Sequence, residues 1–452
     1  MELDLLPDNL LVNILSNLDV LQLVRYSRVC QRWHDLCQLV LENSLSWILR
    51  LCSQKLRKIQ FPSVKNRVSS GLNGVKSNQT LVIEPHVKLN MARWCQVLAE
   101  FRFVNLRYLD LGDASTDRNC VESILASNQG LEVLRWLTPD PNGLEFGAAS
   151  WRAASLREVN LGCLFATDAL FGTLGRNCPK LERFTANSYF RQWTAAGFDR
   201  FCGACRHLKV LNLKVSHSLE TTGIYVVPIL FDPPKLTNDL TNFWSLGQLR
   251  YLSLPFEGGL FDDEALYRIS LCFPELRTLK FGDSRLSNDG VANLSRLRKL
   301  RHLTMAQVVG PIDEGLIRVA LENRLQDLNL ALTQISFPST LAILRHCSRL
   351  RSLNISRSVS NYQVHRGTNI TVQEALQMIE LRRRLSEIGE CDQSFTLIHT
   401  DSPVWTSTSI QLALESLPAG DSEVFRIVLL SDYCKMKCSD EEEYERDDDE
   451  GL

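Results

Sequence analysis

The chain has 452 residues, of which 44% are hydrophobic and 23% charged, and a formal net charge of −2; this is enough for two or three folded domains and too balanced for a bulk polyanion binder. The N-terminus carries Glu2 and Asp4 without the basic and apolar regions of a secretory signal, and no apolar run approaches the ~20 residues that span a bilayer. The expectation is a soluble protein of the cytoplasm or nucleus, with no membrane or nucleic-acid partner. Fourteen cysteines scattered singly read as free thiols of a reducing compartment, and the sequons at Asn78, Asn293, Asn354 and Asn369 as chance matches.

Residues 1–50 are read as the first module. Pro7 at a helix start, with apolar Leu10, Leu11, Ile14, Leu15 and Leu18, predicts one amphipathic helix. Asp19 can cap a second containing Leu21, Leu23 and Val24, and a third follows Val29 and Cys30 with Trp33 and Leu36 on one side. Three short helices bury little of their own surface, so the module calls for a partner.

The order Leu6-Pro7, Ile14-Leu15, Leu18-Asp19 and Val29-Cys30-x-x-Trp33 resembles an F-box. Asn9 replaces a usual acidic residue and Leu15 a common Phe, and both keep the face intact. The resemblance implies that Leu6, Pro7, Ile14, Leu15, Leu18, Leu23, Val29, Cys30 and Trp33 dock on a Skp-type adaptor, and through it reach the cullin and RING subunits of a ubiquitin ligase. A second reading is that the helices only close the end of the array that follows.

Residues 51–77 contain Lys55, Arg57, Lys58, Lys65, Arg67 and Lys76 and no acidic residue, and are expected to form a partly helical basic linker. From residue 78 to 360 an octet of pattern L-x-x-L-x-L recurs. It begins at Leu106, Leu131, Leu156, Leu181, Leu208, Leu249, Leu276, Leu300, Leu325 and Leu350, at intervals of 24 to 27 residues except for one of 41. A diverged copy, NQTLVIEP, starts at Asn78.

Alternation within the octet predicts a short strand whose fourth and sixth residues point inward; the intervening sequence has helical spacing. The predicted fold class is therefore α/β: an N-terminal three-helix F-box followed by a leucine-rich-repeat solenoid with a parallel concave sheet and a helical convex side. Cys178, Cys205, Cys272 and Cys347 fall three or four residues before an octet, which resembles the cysteine-containing subfamily of these repeats. Cys202 and Cys205, like Cys434 and Cys438, lack a second pair at zinc spacing, so core packing or simple exposure is expected rather than a metal or redox site.

The third and fifth octet positions should line the concave face, long enough to hold a protein. Arg135, Asn160, Arg183, Asn212, Tyr251, Lys280 and His302, with Lys214 just beyond its octet, are the candidate substrate contacts. The mildly basic middle suits an acidic or phosphorylated segment, and an ordinary solvated face explains it equally. The long interval contains an apolar insertion at 223–236, read either as a contact loop or as a segment folded on the array. Residues 361–436, with a helical stretch from Thr371 and strand-like runs from Ser394 and Val424, are expected to cap the array. The tail, 437–452, places nine acidic residues between Asp440 and Glu450 and is expected to be disordered.

No G-x-S-x-G, phosphate loop or H-E-x-x-H is present, so an active site, a metal or another cofactor is not expected. The two functions that remain are a non-catalytic substrate receptor of a ubiquitin ligase and an interaction scaffold or inhibitor without that role.

Overall fold

Each leucine octet becomes a three- to ten-residue strand, because its inward leucines can be buried only when the strands of successive repeats stack in register. The structure, a computed structural model, describes residues 7–17, 26, 29–33, 35–37, 39–40, 57–60, 80–82, 98, 103, 105–112, 118–136, 153–215, 236, 239–254, 260–356, 371–389, 395–399 and 425–429. The insertion expected at 223–236 lies outside them apart from Leu236, and the acidic tail lies outside them entirely. Two compact units divide the chain, Met1–Gln192 and Trp193–Leu452.

In the first unit the strands are β1 (Lys58–Gln60), β2 (Thr80–Val82), β3 (Tyr108–Asp110), β4 (Val133–Trp136), β5 (Glu158–Thr167) and β6 (Arg183–Gln192). Their order is β2-β1-β3-β4-β5-β6, and all pairs are parallel. β2 arises from the diverged copy at Asn78. β1 comes from the segment expected to be a linker: Ile59, fully buried, takes a core position in register with Leu81 and Leu109. One inward Ile among basic neighbours is too short a signal to read as a strand.

In the second unit β7 (Val210–Val215), β8 (Tyr251–Ser253), β9 (Thr278–Gly282), β10 (His302–Ala306), β11 (Asp327–Asn329), β12 (Ser352–Asn354), β13 (Phe395–His399) and β14 (Phe425–Leu429) follow in chain order. All seven pairs are parallel. The two C-terminal runs thus extend the same sheet beyond the last octet.

Helices return the chain between strands, and six of them start on side-chain caps. Thr167, Thr194, Asp262, Ser287 and Ser336 each accept an N–H from the first turn, and Thr371 with Glu374 forms a capping box. Neighbouring helices are tied at the same end. Asp263 accepts from the Ser287 N–H at 3.0 Å, Asn288 from Gly315 at 3.0 Å and Asp313 from Ser336 at 3.2 Å. The approach is close enough that a Cβ at Gly315 would stand 2.5 Å from the Asn288 carbonyl oxygen.

In nine of the ten repeats the residue three before the octet is a shared packing position; the exception is the exposed Glu322, before Leu325. Phe103, Asn128, Ala153, Cys178, Cys205, Leu246, Phe273, Leu297 and Cys347 occupy it, all buried. The carbonyl of each accepts the N–H of the octet's first leucine at 2.9 to 3.4 Å. Cys272 was expected there but is one residue early, half-buried at the end of its helix, while Phe273 fills the position. Apolar groups of different volume serve, as does Asn128 with its amide hydrogen-bonded to Phe103 and Ile124, so cysteine is one choice among several. Burial pushes the Cys205 and Cys347 thiols up to about 12, and a thiol held protonated is a poor nucleophile. Brief alkylation of the native protein should label Cys30 and Cys272 and leave Cys178, Cys202, Cys205 and Cys347 unmodified until denaturant is added, as read by peptide mapping.

Beyond β12 the helix Val372–Glu387 inserts Arg382, fully buried, under the end of the preceding repeat. Its guanidinium donates to the carbonyls of Leu344 at 3.2 Å, Cys347 at 2.9 Å and Leu350 at 2.7 Å, and lies 5.4 Å from the Phe395 ring. These carbonyls end the helix Phe337–His346 and lead into β12, where a cation is favoured by the helix dipole. Arg382→Met should cost about 2–4 kcal/mol by leaving buried carbonyls unpaired, measurable as a lower urea midpoint.

Candidate functional site

The N-terminal helix Asp8–Leu15 is apolar on two adjacent faces. Leu11 and Leu15, four apart, are buried with Trp33, Leu36, Cys37 and Val40 in one small cluster. Leu10 and Ile14, also four apart, are 47% and 46% exposed, and Val29 is 62% exposed. Pro7 and Cys30 are exposed as well. Pro7 begins the helix, its carbonyl accepting the Leu10 and Leu11 N–H groups at 3.0 and 3.1 Å. Arg32 donates to Asp8 at 2.7 Å, and the Tyr26 ring stands 5.7 Å from Trp33, linking the later residues to that helix.

The expected adaptor contacts therefore divide. Leu15 and Trp33 are buried inside the module and hold it together. Pro7, Ile14, Val29 and Cys30 present surface, and Leu6, Leu18 and Leu23 lie outside the described residues. Leu10 joins the exposed set, and the signal for it was in the sequence: a helix apolar on two faces has both faces to cover.

On the sheet of the first unit, the third-position row runs Lys58, Tyr108, Val133, Glu158, Arg183, and the fifth-position row Gln60, Asp110, Arg135, Asn160, Thr185. Glu158 lies between the two candidate arginines. Arg135 donates to its Oε1 at 2.9 Å, and Arg183 approaches its Oε2 at 3.7 Å. The positive charge of Arg135 and Arg183 is thus partly offset by the carboxylate of Glu158, on the strand between theirs. Lys58 stands 4.5 Å from the Tyr108 ring and Arg135 5.8 Å from it, an aromatic platform not singled out from the sequence.

In the second unit the corresponding rows run Val210, Tyr251, Thr278, His302, Asp327, Ser352 and Asn212, Ser253, Lys280, Thr304, Asn329, Asn354. His302 Nδ1 is 2.7 Å from Asp327, and Lys280 Nζ is 5.4 Å from the Tyr251 ring.

Asx residues at the fifth position do structural service. Asp110, Asn329 and Asn354 each accept the backbone N–H two residues on, at 2.9 to 3.0 Å, and end their strands. β5 and β7 run past this point, so that turn does not form. Asn212 is fully buried with both amide atoms unpartnered, and the Asn160 amide oxygen is buried and unpartnered. Neither amide atom of Asn212 reaches solvent, which sets it apart from half-buried Tyr251, Lys280 and His302. The Lys214 side chain lies outside the described residues. Among the described residues no group of three His, Cys, Asp or Glu could hold a metal, and no helix is long and apolar enough to cross a membrane.

Residues 3–41 match the F-box-like family. No curated protein matches the chain. Among solved structures, an internalin (inlF) from Listeria monocytogenes is similar at 14% identity, with 72% of this chain and 80% of that chain covered and a TM-score of 0.36. A chain of the yeast Rad7 and Elc1 complex is similar at 11% identity, with 76% and 89% covered and a TM-score of 0.38. The F-box-like match lies N-terminal to the stack of leucine octets, whose strands are parallel and joined by helices.

Trp33→Ala should open the small cluster and cost about 3–5 kcal/mol of local stability, whereas Ile14→Ala should stay within about 0.5 kcal/mol. Limited proteolysis of the N-terminal region reads the difference.

Proposed function

We propose that the chain is the non-catalytic substrate-recognition subunit of an SCF-type cullin-RING ubiquitin ligase. Residues 1–50 dock a Skp-type adaptor, which links to the cullin and RING subunits, and the repeats hold a protein substrate in the cytoplasm or nucleus. The observation that carries this reading is the exposed apolar set Pro7, Leu10, Ile14 and Val29 on a segment that matches the F-box-like family. A module of this size leaving three large apolar side chains about half exposed or more is built for a partner. In the same reading the repeats, residues 78–360, belong to the cysteine-containing class; 51–77 connects them to the F-box and 361–436 closes them. Arg135 and Arg183 in the first unit, and Tyr251, Lys280 and His302 in the second, are the substrate contacts.

A repeat scaffold without ubiquitin machinery is the competing function. Ile14→Asp and Val29→Asp place charge on the exposed stripe and leave the buried cluster intact. Each should lower recovery of the Skp-type adaptor and cullin in a pull-down by about tenfold or more, while Leu321→Asp, on the exposed side of the helix Asp313–Glu322, should not. Unchanged recovery from both N-terminal variants would return the protein to the scaffold class.

A further inference from the structure

The second octet residue stands immediately before the strand. In the first unit it alternates as Arg107, Glu132, Arg157, Glu182, with ion pairs at 3.4 Å for Arg107–Glu132 and 2.7 Å for Arg157–Glu182. In the second unit it runs Lys209, Arg250, Arg277, Arg301, Gln326, Arg351, and the cations Lys209, Arg250, Arg277 and Arg351 have partners. The open positive charge lies just before this column, in the turns that lead into the octets at Leu325 and Leu350.

The turn that leads into the octet at Leu300 is neutralised by its neighbours. Lys299 donates to Glu275, one repeat before it, at 2.6 Å, and Arg298 pairs with Glu322, one repeat after it. The Lys299 hydrogen bond keeps the Glu275 carboxyl below the usual carboxylate range. Arg324 and Arg349, each immediately before an octet's first leucine, are exposed. The turns on either side of Arg324 read Arg298-Lys299 and Ser348-Arg349, without an acid, and Glu322 is already taken by Arg298. Arg345, exposed in the last turn of the helix Phe337–His346, adds a third charge. Among the described residues no carboxylate pairs with Arg324, Arg345 or Arg349.

Helix capping does not account for these cations. The carbonyls of Leu344, Cys347 and Leu350 already accept from the buried Arg382, which meets the demand for positive charge at this helix end. Backbone bonds from Gln326 to Arg301 and from Arg351 to Gln326, both at 2.7 Å, hold the successive turns in register. They stand one strand apart, ~4.8 Å, so an anion lying across them relieves a repulsion between like charges.

The same chain carries a complementary segment. Residues 440–450 hold nine carboxylates against the single cation Arg446. Asp440 is eleven residues beyond Leu429, the end of β14, a stretch that extends to ~36 Å. β12 and β11 are two and three strands from β14, about 10 and 14 Å, and the length of β14 to be retraced is about 17 Å. The acidic run therefore reaches the entry side of both strands.

We infer that the acidic run 440–450 docks on Arg324, Arg345 and Arg349 of its own chain. Arginine forks match carboxylates in pairs, and a tether of this length presents them at an effective concentration on the order of millimolar, which favours the chain's own tail over a free acidic segment. The octets opened by these turns carry Asp327 and Ser352 in the row of His302, so the docked tail stands at the margin of the candidate substrate face. The inference goes beyond the receptor reading and depends on neither the adaptor contact nor a substrate.

The test is zero-length carbodiimide crosslinking of the full-length protein, which joins an amine to a carboxylate in contact, read by peptide mapping. Arg324→Lys and Arg349→Lys, made separately, keep the charge and supply the amine; Arg200→Lys, exposed on the helix Ala195–Ala204, is the control. The Lys299–Glu275 crosslink reports in every sample that the repeats are folded. Crosslinks from the two turn amines to residues 440–450 should exceed those from the control about tenfold or more and decline with ionic strength. In an equal mixture with isotope-labelled protein they should join chains of one isotope. Absence of tail crosslinks while Lys299–Glu275 forms, or equal yields from the control, overturns the inference. So do crosslinks that join light to heavy chains, which would assign these arginines to the tail of a second copy.

Discussion

The structure depends on one doubled hydrogen bond repeated at nearly every turn of the chain. The carbonyl of the second octet residue accepts two N–H groups from the next repeat: Arg107 from Glu132 at 2.8 Å and Val133 at 2.9 Å, and Arg277 from Arg301 at 2.8 Å and His302 at 3.0 Å. This pins the register, and register decides which side chains enter the core, since a slip of one residue would turn every leucine outward. Once it is fixed, Leu252, Leu279, Leu303, Leu328 and Leu353 stack in one buried line, each contributing roughly 1.5–3 kcal/mol relative to exposure. The strand exit is fixed as well. The eighth octet residue is left-handed in three consecutive repeats, at Asp283, Gln307 and Leu332 (φ 45°, 58° and 60°). None is glycine, yet each N–H reaches the following repeat at 2.7 to 2.9 Å, which offsets a conformational cost of about 1–2 kcal/mol.

The parts legible in the sequence are those where one residue type answers one demand many times. The leucines gave the strands and their parallel order, and Pro7 marked the start of the N-terminal helix because its ring suits only the first turn. What escaped depends on tertiary context. Ile59 makes a strand only because Leu81 and Leu109 stand on either side of it. Cys272 and Phe273 are adjacent, and only the helix phase decides which is buried. The C-terminal runs at Phe395 and Phe425 lack the octet, so their place in the sheet follows from pairing rather than pattern.

The candidate sites show the same division. Leu15 and Trp33 fit the F-box pattern as well as Ile14 and Val29 do, but the first pair is a core and the second a surface. A sequence motif records both without separating them, because a small domain that binds a partner must specify its own packing in the same few residues. Likewise Arg135 and Arg183 counted as positive charge until Glu158, from the strand between theirs, was found within reach of both.

That last case bears on how charge should be read in any stacked repeat. Sequence neighbours on a strand point to opposite faces, whereas residues about 25 positions apart stand side by side. The electrostatics of a face are therefore set column by column and not by local or total charge. A chain with a net charge of −2 can hold one column that neutralises itself and another in which five of six residues are cations, with the same backbone bonds behind both. Because the doubled hydrogen bond uses only backbone atoms, the side chain at this position is left open to chemistry. It is where a repeat protein can gain a charged edge without altering its fold.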